Sequence, residues 1–260
     1  MELNLKNKAA LVCGSTQGIG RATAMALANE GVKVTLLARD QTKLEHVLSE
    51  LPKTANHDYI VADFSKVDAL KVKVSDYLNK NSGFHILINN TGGPRSGSIL
   101  EATLEQFESA FTMHLKCSHV LTQLLVPFMK GENYGRIINV ISTSVKEPIE
   151  GLGVSNTIRN AVGNWSKTLS FELGAFRITV NNVLPGFTQT ERLNEIIDVK
   201  AKKANTSFEE MKNLMKNYTP AKRFAKPQET ANTIVFLASE AASYINGVNI
   251  PVDGGRTKSL

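Results

Sequence analysis

The stretch Cys13-Gly14-Ser15-Thr16-Gln17-Gly18-Ile19-Gly20-Arg21 decides the fold. It follows the apolar run Ala9–Cys13 and leads into an amphipathic pattern, so it predicts a strand, a glycine turn and a helix. In such a turn Gly14 permits the sharp bend, Gly18 lets backbone N–H groups approach a pyrophosphate, and Gly20 lets the helix pack closely on the strand. A ligand-free turn could use the same glycines, and the spacing differs from the common G-x-G-x-x-G. The position directly after the first strand still favours a dinucleotide site at the positive end of the helix dipole.

Short apolar runs alternate with longer amphipathic patterns along the whole chain. Strands are predicted at Ala9–Cys13, Lys33–Ala38, Tyr59–Ala62, Ile86–Asn89, Arg136–Ile141, Thr179–Leu184 and Gly247–Val252. Helices are predicted at roughly Ile19–Glu30, Gln41–Glu50, Val67–Lys80, Thr103–Met129, Ser155–Ala175 and Gln228–Ala238. Most of the strands are almost continuously apolar, as strands buried on both faces of a parallel sheet are. We therefore expect an α/β fold of the three-layer, doubly wound Rossmann type, with a seven-stranded parallel sheet and helices on both faces.

The length of 260 residues, 42% of them hydrophobic, is enough to bury one sizeable core. No linker or internal repeat divides the chain, so we expect a single nucleotide-binding domain over residues 1–260, with a helical insertion on the substrate side at about residues 188–226. Cys13 and Cys117 lie in apolar stretches and are interpreted as small core residues in a reducing compartment, with neither a disulfide framework nor a metal site. We find no signal-peptide core and no apolar run of bilayer length, so the sequence predicts a cytoplasmic protein without a membrane partner.

The net charge of +6 is unevenly spread. One stretch, called here the basic lobe, contains Lys200, Lys202, Lys203, Lys212, Lys216, Lys222, Arg223 and Lys226. Such a stretch is more often a solvated helical surface than a docking face for an acidic partner or substrate, and both interpretations are kept. No aromatic-studded basic stripe accompanies the charge, so we expect no nucleic acid as partner.

The end of the second strand decides which dinucleotide binds. The strand ends Leu37-Ala38-Arg39-Asp40, with Ala38 where an acidic side chain would accept hydrogen bonds from the ribose of NAD. Arg39 can pair with a 2′-phosphate through its planar guanidinium, so the sequence favours NADP(H). The alternative is that Arg39 is an ordinary surface charge. In either case we expect Asp40 to cap the next helix.

Motifs spread over the entire chain together resemble those of the short-chain dehydrogenase/reductase family. They are Gly14-Ser15-Thr16-Gln17-Gly18-Ile19-Gly20, Asp63 after the third strand, Asn89-Asn90-Thr91-Gly92 after the fourth, Pro185-Gly186 after the sixth and Val252-Asp253-Gly254-Gly255 near the end. The cofactor-binding residues that the motifs and the resemblance imply are Gly14, Ser15, Thr16, Gly18, Ile19, Gly20, Arg39, Asp63, Phe64, Asn90, Thr91, Gly92, Arg159, Pro185, Gly186 and Thr188. The resemblance implies Asp63 at the adenine, residues 90–92 at the adenosine ribose and residues 185–188 at the nicotinamide. It also implies that Asn89 braces the sheet, and Thr91 stands where the family usually has alanine.

Members of this family transfer hydride between nicotinamide and a carbonyl or alcohol, using serine, tyrosine, lysine and often asparagine. The alkoxide that forms on reduction needs a proton, and a phenol with its pKa lowered by a neighbouring ammonium can donate it. By the family's spacing Ser142 matches the serine. The tyrosine position falls on Ser155, the lysine position on Arg159 and the asparagine position on His114. Three of the four catalytic positions are therefore replaced.

The three replacements have unequal consequences. Arg159 can still bind ribose hydroxyls, but its guanidinium stays protonated and cannot join a proton relay. Ser155 is a much weaker acid than a phenol, so ordinary turnover is expected to fall steeply. His114 could partly compensate because its ordinary pKa lies near neutrality, although a histidine on a long helix is more often a packing residue. Tyr134 lies just before a strand and is interpreted as structural.

The chain also resembles a divergent subgroup related to 3-oxoacyl-acyl-carrier-protein reductases. The resemblance rests on Asn90-Thr91-Gly92-Gly93-Pro94, on Val145-Lys146-Glu147-Pro148 and on the Ser155-Asn156 start of a helix. It implies a small-molecule or acyl-thioester substrate, with an acidic acyl carrier protein as a candidate partner of the basic lobe. Lys146 and Glu147 are interpreted as a surface loop, with a place beside the cleft as the alternative.

Two functions remain open from the sequence. One is an NADP(H)-dependent oxidoreductase whose rebuilt centre uses Ser142, Ser155, Arg159 and His114. The other is a nucleotide-binding or assembly protein that kept the fold and lost the chemistry. The resemblance further implies a homodimer or homotetramer that pairs through the two long helices predicted at Thr103–Met129 and Ser155–Ala175.

Overall fold

The computed structural model of the protein describes residues 2–53 and 55–259. The strands are β1 (Ala9–Cys13), β2 (Lys33–Ala38), β3 (Asp58–Val61), β4 (Ile86–Asn89), β5 (Gly135–Val140), β6 (Ile178–Pro185) and β7 (Asn249–Val252). The α-helices are α1 (Gly18–Asn29), α2 (Gln41–Glu50), α3 (Val67–Lys80), α4 (Leu104–Phe111), α5 (Cys117–Gly131), α6 (Gly153–Leu173), α7 (Glu191–Ala204), α8 (Phe208–Asn217) and α9 (Pro227–Ala238). A π-helical turn at Thr112–Lys116 joins α4 to α5, and short 3-10 turns lie at Thr143–Val145, Gly174–Phe176 and Glu240–Ala242.

The described residues form one parallel sheet of seven strands in the order β3-β2-β1-β4-β5-β6-β7. Helices α1, α2 and α9 pack on one face, and α3, α5 and the end of α6 pack on the other. The strand order reverses between β1 and β4, which opens a crevice at the carboxyl ends of these two strands. The three-layer doubly wound fold predicted from the sequence is confirmed.

Strand β1 shows why the apolar runs take this architecture. Ala10 and Val12 belong to the core under α1, whereas Leu11 and Cys13 belong to the core under α3 and α5. All four are fully buried, so neither face of the strand can be polar. Burial of each leucine or valine side chain contributes about 1.5–3 kcal/mol, which makes the central strands a rigid floor for the crevice.

The element boundaries differ from prediction by small amounts, with one larger exception. The third strand is Asp58–Val61 instead of Tyr59–Ala62, and the last begins at Asn249 instead of Gly247. The exception is the long helix predicted at Thr103–Met129, which is interrupted by the π-helical turn. Amphipathic periodicity does not reveal such a turn, because a single π-helical turn within an α-helix leaves the apolar pattern on either side of it helical.

The predicted insertion contains two helices, α7 and α8, with a small core of their own. That core consists of Leu193, Ile197, Ala201, Met211, Met215 and Phe224. Several cations of the basic lobe pair with local acids: Lys202 with Asp198 at 2.7 Å, Lys212 with Glu209 at 2.9 Å and Arg223 with Glu229 at 2.6 Å. These pairs favour the interpretation of the lobe as a solvated surface. Within the described residues no helix is long and apolar enough to cross a membrane.

A row of mostly buried asparagine side chains runs across the four strands β4 to β7. Asn89, Asn139, Asn182 and Asn249 lie in register on β4 to β7. Asn89 donates to Asn139 at 2.9 Å, Asn139 donates to Asn182 at 2.9 Å, and Asn182 donates to Asn249 at 2.8 Å. Because an unpaired buried amide is costly, this row ties the four strands to one register just below the crevice. The side chain of Asn89 therefore braces the sheet, as the resemblance implied.

Candidate active site

The glycine turn after β1 is as tight as its sequence predicts. Gly14 has a φ of +58°, and a Cβ there would lie 2.6 Å from the carbonyl oxygen of Asn90. A Cβ on Gly20 would overlap the carbonyl oxygen of Gly14. The Asn90 amide donates to the carbonyls of Cys13 and Gly14 at 3.2 and 3.3 Å. Its side chain is thus engaged in bracing the turn, which leaves its backbone and the residues after it for the ribose contact that the resemblance implies.

The residues at this turn fit a pyrophosphate. The side chain of Ser15 is fully buried, and its Oγ has no hydrogen-bond partner within the described part of the chain. An orphaned buried hydroxyl in the turn that leads into a helix is the kind of group that a phosphate oxygen would satisfy. Thr190, which was not selected from the sequence, lies over the same turn, since a Cβ on Gly18 would meet its Cγ2 at 3.0 Å.

The residue that follows β2, Arg39, has a guanidinium group without a hydrogen-bond or ion-pair partner among the described residues. Arg39 is exposed, and its charge acts on Asp63. Asp40 accepts a hydrogen bond from the backbone N–H of Lys43 at 3.0 Å and caps α2, which confirms the prediction for that residue. A guanidinium without a committed partner at this place fits the 2′-phosphate of NADP(H).

Asp63 and Phe64 follow β3 on the same edge of the crevice. The Asp63 carboxylate accepts from the N–H of Ser65 at 2.9 Å. This hydrogen bond first, then one from the Ser65 side chain and then the charge of Arg39, hold the pKa of Asp63 below its ordinary value. Phe64 is buried and its carbonyl accepts from the thiol of Cys117 at 3.1 Å. Burial raises the pKa of Cys117 to about 12, so this thiol packs in the core as a neutral group.

The reaction centre lies where β5 ends and α6 begins. Ser142 follows β5, is partly exposed, and its Oγ accepts from the N–H of Ser144 at 3.1 Å. Ser155 and Arg159 are each 8% exposed and lie one turn apart on the buried side of α6. In its hydrogen bond with the N–H of Ser144, the Ser142 hydroxyl is the acceptor, so its own proton remains available for donation.

Arg159 is buried without a carboxylate. Its Nη1 donates to the carbonyl of Val140 at 2.8 Å, while its Nε has no partner among the described residues. Burial first, and the charge of Arg192 second, lower its pKa to about 10. The guanidinium therefore stays protonated at neutral pH and retains free donors.

His114 lies on the π-helical turn and is paired with the other unusual residue of this region. Its Nδ1 is 2.6 Å from the Thr91 hydroxyl, and its buried Nε2 has no hydrogen-bond partner in the described structure. Burial, followed by the charge of Arg159, lowers the His114 pKa well below its ordinary value. The sequence interpretation relied on a pKa near neutrality, and that reason is wrong: desolvation keeps this imidazole neutral at pH 7. Thr91 thus gives His114 a hydrogen-bond partner that the family's usual alanine at this position would lack.

Arg192 is a site residue that sequence reasoning missed. It lies in the first turn of α7, donates from Nη2 to the carbonyl of Pro94 at 2.5 Å, and pairs through Nη1 with Glu195 at 3.0 Å. A Cβ on Gly93 would lie 3.7 Å from Nη2 of Arg159 and 3.8 Å from Nε of Arg192. The contact joins segments nearly a hundred residues apart, so no local motif could reveal it; the only sequence signal was a basic residue in the insertion.

The carboxyl-terminal segment closes the other side of the centre. A Cβ on Gly186 would lie 2.6 Å from the Cα of Asp253, which explains the two glycine-containing motifs as one packed pair. Thr188 is buried, and its hydroxyl donates to the Gly186 carbonyl at 3.3 Å. Arg256 donates to the Thr143 hydroxyl at 3.1 Å, directly beside the candidate serine.

Two further residues considered from the sequence lie outside the centre or at its margin. The Tyr134 hydroxyl donates to the carbonyl of Ala238 at 2.6 Å and serves packing, as predicted. Glu147 accepts from the backbone N–H of Lys258 at 2.9 Å, so this loop is tied to the end of the chain.

A cavity of about 270 Å³ lies beside His114, and its lining includes Gly93, Arg95 and Glu105. The cavity leaves room next to the reaction centre for part of a substrate.

Comparisons with known proteins agree with this architecture. The profile of the enoyl-(acyl carrier protein) reductase family matches residues 14–257. The chain is 31% identical to the 3-oxoacyl-[acyl-carrier-protein] reductase FabG of Staphylococcus epidermidis, over 96% of this chain and 98% of that one. It is 30% identical to the NADPH-dependent reductase BacG of Bacillus subtilis, over 98% of this chain and 100% of that one. The L-sorbose reductase of Gluconobacter frateurii, solved with NADPH and L-sorbose, superposes with a TM-score of 0.93 at 29% identity over 100% of both chains.

The chain therefore belongs to the short-chain dehydrogenase/reductase family, as its motifs predicted. Its expected class, a short-chain oxidoreductase, is confirmed with the family.

Proposed function

We propose that the protein is an NADP(H)-dependent carbonyl reductase of the short-chain type with an atypical reaction centre. The observation that carries the proposal is the pairing of a complete dinucleotide turn with a buried cation at the lysine position. The turn supplies the orphaned Ser15 hydroxyl, and the buried cation is Arg159. A protein that had lost all use for the centre would have little reason to keep a desolvated, unpaired guanidinium there, because it lowers stability.

The cofactor would be held by the sixteen residues implied by the sequence, and Thr190 joins them because it lies over Gly18. Arg39 would neutralise the 2′-phosphate, and the relatives support that choice, since one is an NADPH-dependent reductase and another was solved with NADPH. When bound, NADPH supplies the hydride. The remaining chemistry falls to side chains of this chain.

Those side chains divide the work that a tyrosine and a lysine perform elsewhere. Ser142 donates a hydrogen bond to the carbonyl oxygen of the substrate. Arg159 supplies a fixed positive charge to the reaction centre, which in this desolvated place favours binding of a negatively charged group. Ser155 delivers the proton and is resupplied from solvent, and turnover is slow because an aliphatic hydroxyl is a weak acid. Neutral His114, held by Thr91, orients this wall of the site.

The substrate is a carbonyl compound, either a small molecule or an acyl thioester. FabG, which the chain resembles, is named for 3-oxoacyl-[acyl-carrier-protein]. The internal ion pairs of the basic lobe argue against an acyl carrier protein as the partner. We further propose one domain over residues 1–260, a cytoplasmic location and a homodimer or homotetramer. Exposed apolar side chains on α4 and α6, Leu104 (76% exposed) and Phe171 (77% exposed), support pairing through these helices.

The proposal is tested by following NADPH oxidation with a 3-oxoacyl thioester of N-acetylcysteamine. The wild type is compared with the double variant Ser155→Tyr/Arg159→Lys, which restores the usual pair. We expect slow but measurable turnover by the wild type that disappears in Ser142→Ala. If the wild type is silent toward carbonyls and the double variant gains turnover, the protein is instead a nucleotide-binding or assembly protein.

A further inference from the structure

Two guanidinium groups face the same small space beside the reaction centre. Arg159 reaches it from α6, and Arg192 reaches it from the first turn of α7. Gly93, on the loop after β4, marks the space: a Cβ there would lie 3.7 Å from Nη2 of Arg159 and 3.8 Å from Nε of Arg192. The two cations act on each other, since the charge of Arg192 lowers the pKa of Arg159.

Among the described residues, Glu195 pairs with Arg192 and no carboxylate pairs with Arg159. Arg159 is 8% exposed. Its Nε is orphaned. Glu195 pairs with Nη1 of Arg192 and leaves Nε of that residue without a carboxylate. Two neighbouring cations, one of them desolvated and without a carboxylate partner, favour the binding of an anion between them.

We propose that this arginine pair binds a carboxylate of the substrate, so that the natural substrate is an oxo acid and not a neutral thioester. The planar guanidinium matches a carboxylate through two parallel hydrogen bonds, and two such groups accept its two oxygens. The inference rests on the proposed function, which puts the reacting carbonyl at Ser142. Arg159 donates to the carbonyl of Val140, two residues before that serine, so the proposed carboxylate site lies on the same side of the crevice as the reacting carbonyl. The candidates are 2-oxo and 3-oxo acids, in which the two groups are close together in the molecule.

Arg192 belongs to the insertion, so an acid that binds to it also connects the insertion to the rest of the protein. Arg192 already ties α7 to the loop after β4 through the carbonyl of Pro94. A carboxylate between the two arginines adds a bridge from α7 to α6. Binding of the acid therefore holds the insertion against the body of the protein and places the carbonyl at the same time.

NADPH is first titrated into the full chain, and the probes are then titrated by calorimetry into the complex with NADP+, which cannot reduce them. The probes are 2-oxohexanoate and 3-oxohexanoate, each compared with its ethyl ester. We expect one of the acids to bind about tenfold or more tightly than its ester, as the loss of charge-assisted hydrogen bonds implies. Arg192→Gln should remove most of this preference, and Arg192→Lys should retain part of it because it keeps the charge. Lys203→Gln, which removes an exposed charge from the same helix, is the matched control and should leave the preference unchanged.

The outcomes separate the two levels of the proposal. If NADPH itself does not bind, the proposed function fails. If NADPH binds but both esters bind as tightly as their acids, only the carboxylate site is overturned. A role of Arg192 as a simple clamp would weaken acid and ester equally in Arg192→Gln, and a role toward the cofactor would weaken NADPH itself; either result overturns the assignment to the substrate.

Discussion

The two ends of the crevice differ in how they use sequence. The nucleotide end, from the glycine turn to β3, has the glycines that its sequence motif predicts, and these glycines act through backbone geometry. The reaction end, on α6 and the π-helical turn, has serine, arginine and histidine where the family's spacing leads us to expect tyrosine, lysine and asparagine. Binding geometry is thus built into the path of the chain, whereas chemistry depends on single side chains that can be exchanged while the fold persists.

The largest effect is expected at the nucleotide end. A Cβ on Gly20 would overlap the carbonyl of Gly14, so Gly20→Ala must displace α1 from the turn. We expect it to cost about 1–3 kcal/mol of unfolding free energy by overpacking and to reduce NADPH affinity by roughly 100-fold or more, because the phosphate-binding N–H groups move with the helix. Urea unfolding and NADPH titration measure the two effects. Gly131→Ala is the control, since a Cβ there meets nothing within 4 Å; equal behaviour of the two variants would contradict the close packing.

The next effect distinguishes the cofactors. Removing the guanidinium in Arg39→Gln is expected to weaken NADPH binding by about 10- to 100-fold, the usual value of a charged hydrogen-bonded pair, and to leave NADH binding unchanged. Lys43→Gln removes an exposed charge nearby and controls for general electrostatics. An unchanged NADPH affinity in Arg39→Gln would contradict the assignment of this arginine to the 2′-phosphate.

The same division explains what could be predicted from the sequence. The fold class, the succession of strands and helices and the glycine turn depend on patterns local in sequence, and the structure confirms the fold. The engagement of Asn90 by the turn, the pairing of Thr91 with His114 and the approach of Arg192 to Arg159 depend on contacts between distant segments. Burial is the other property that could not be predicted from the sequence. From the sequence alone His114 was expected to have its ordinary pKa, whereas desolvation in the folded protein lowers that pKa strongly.

A smaller effect tests the reaction end through this histidine. The folded pKa of His114 is lowered, so below the unfolded value the unfolded chain binds the proton more readily than the folded one. Stability from this group is complete above pH ~6.5 and falls as the pH is lowered, by at most about 1.4 kcal/mol per pH unit. His114→Asn should show a shallower loss between pH 6.5 and 5 in urea unfolding. His85, whose pKa is also lowered by burial, is present in both proteins and cancels in the difference. Identical slopes would mean that His114 is not desolvated.

The smallest effect is expected in the basic lobe. Three of its cations already pair with acids of the same region, and surface charges are screened beyond about 8 Å at physiological ionic strength. Removing two unpaired, exposed charges in Lys200→Gln/Lys203→Gln should therefore change the affinity of the NADPH complex for a 3-oxoacyl carrier protein by less than about twofold. The neutral N-acetylcysteamine thioester, bound by the same variant, is the reference. A selective loss of the carrier-bound substrate would show that the lobe is a docking face, and it would move the recognition of substrate from the arginine pair to the surface of the insertion.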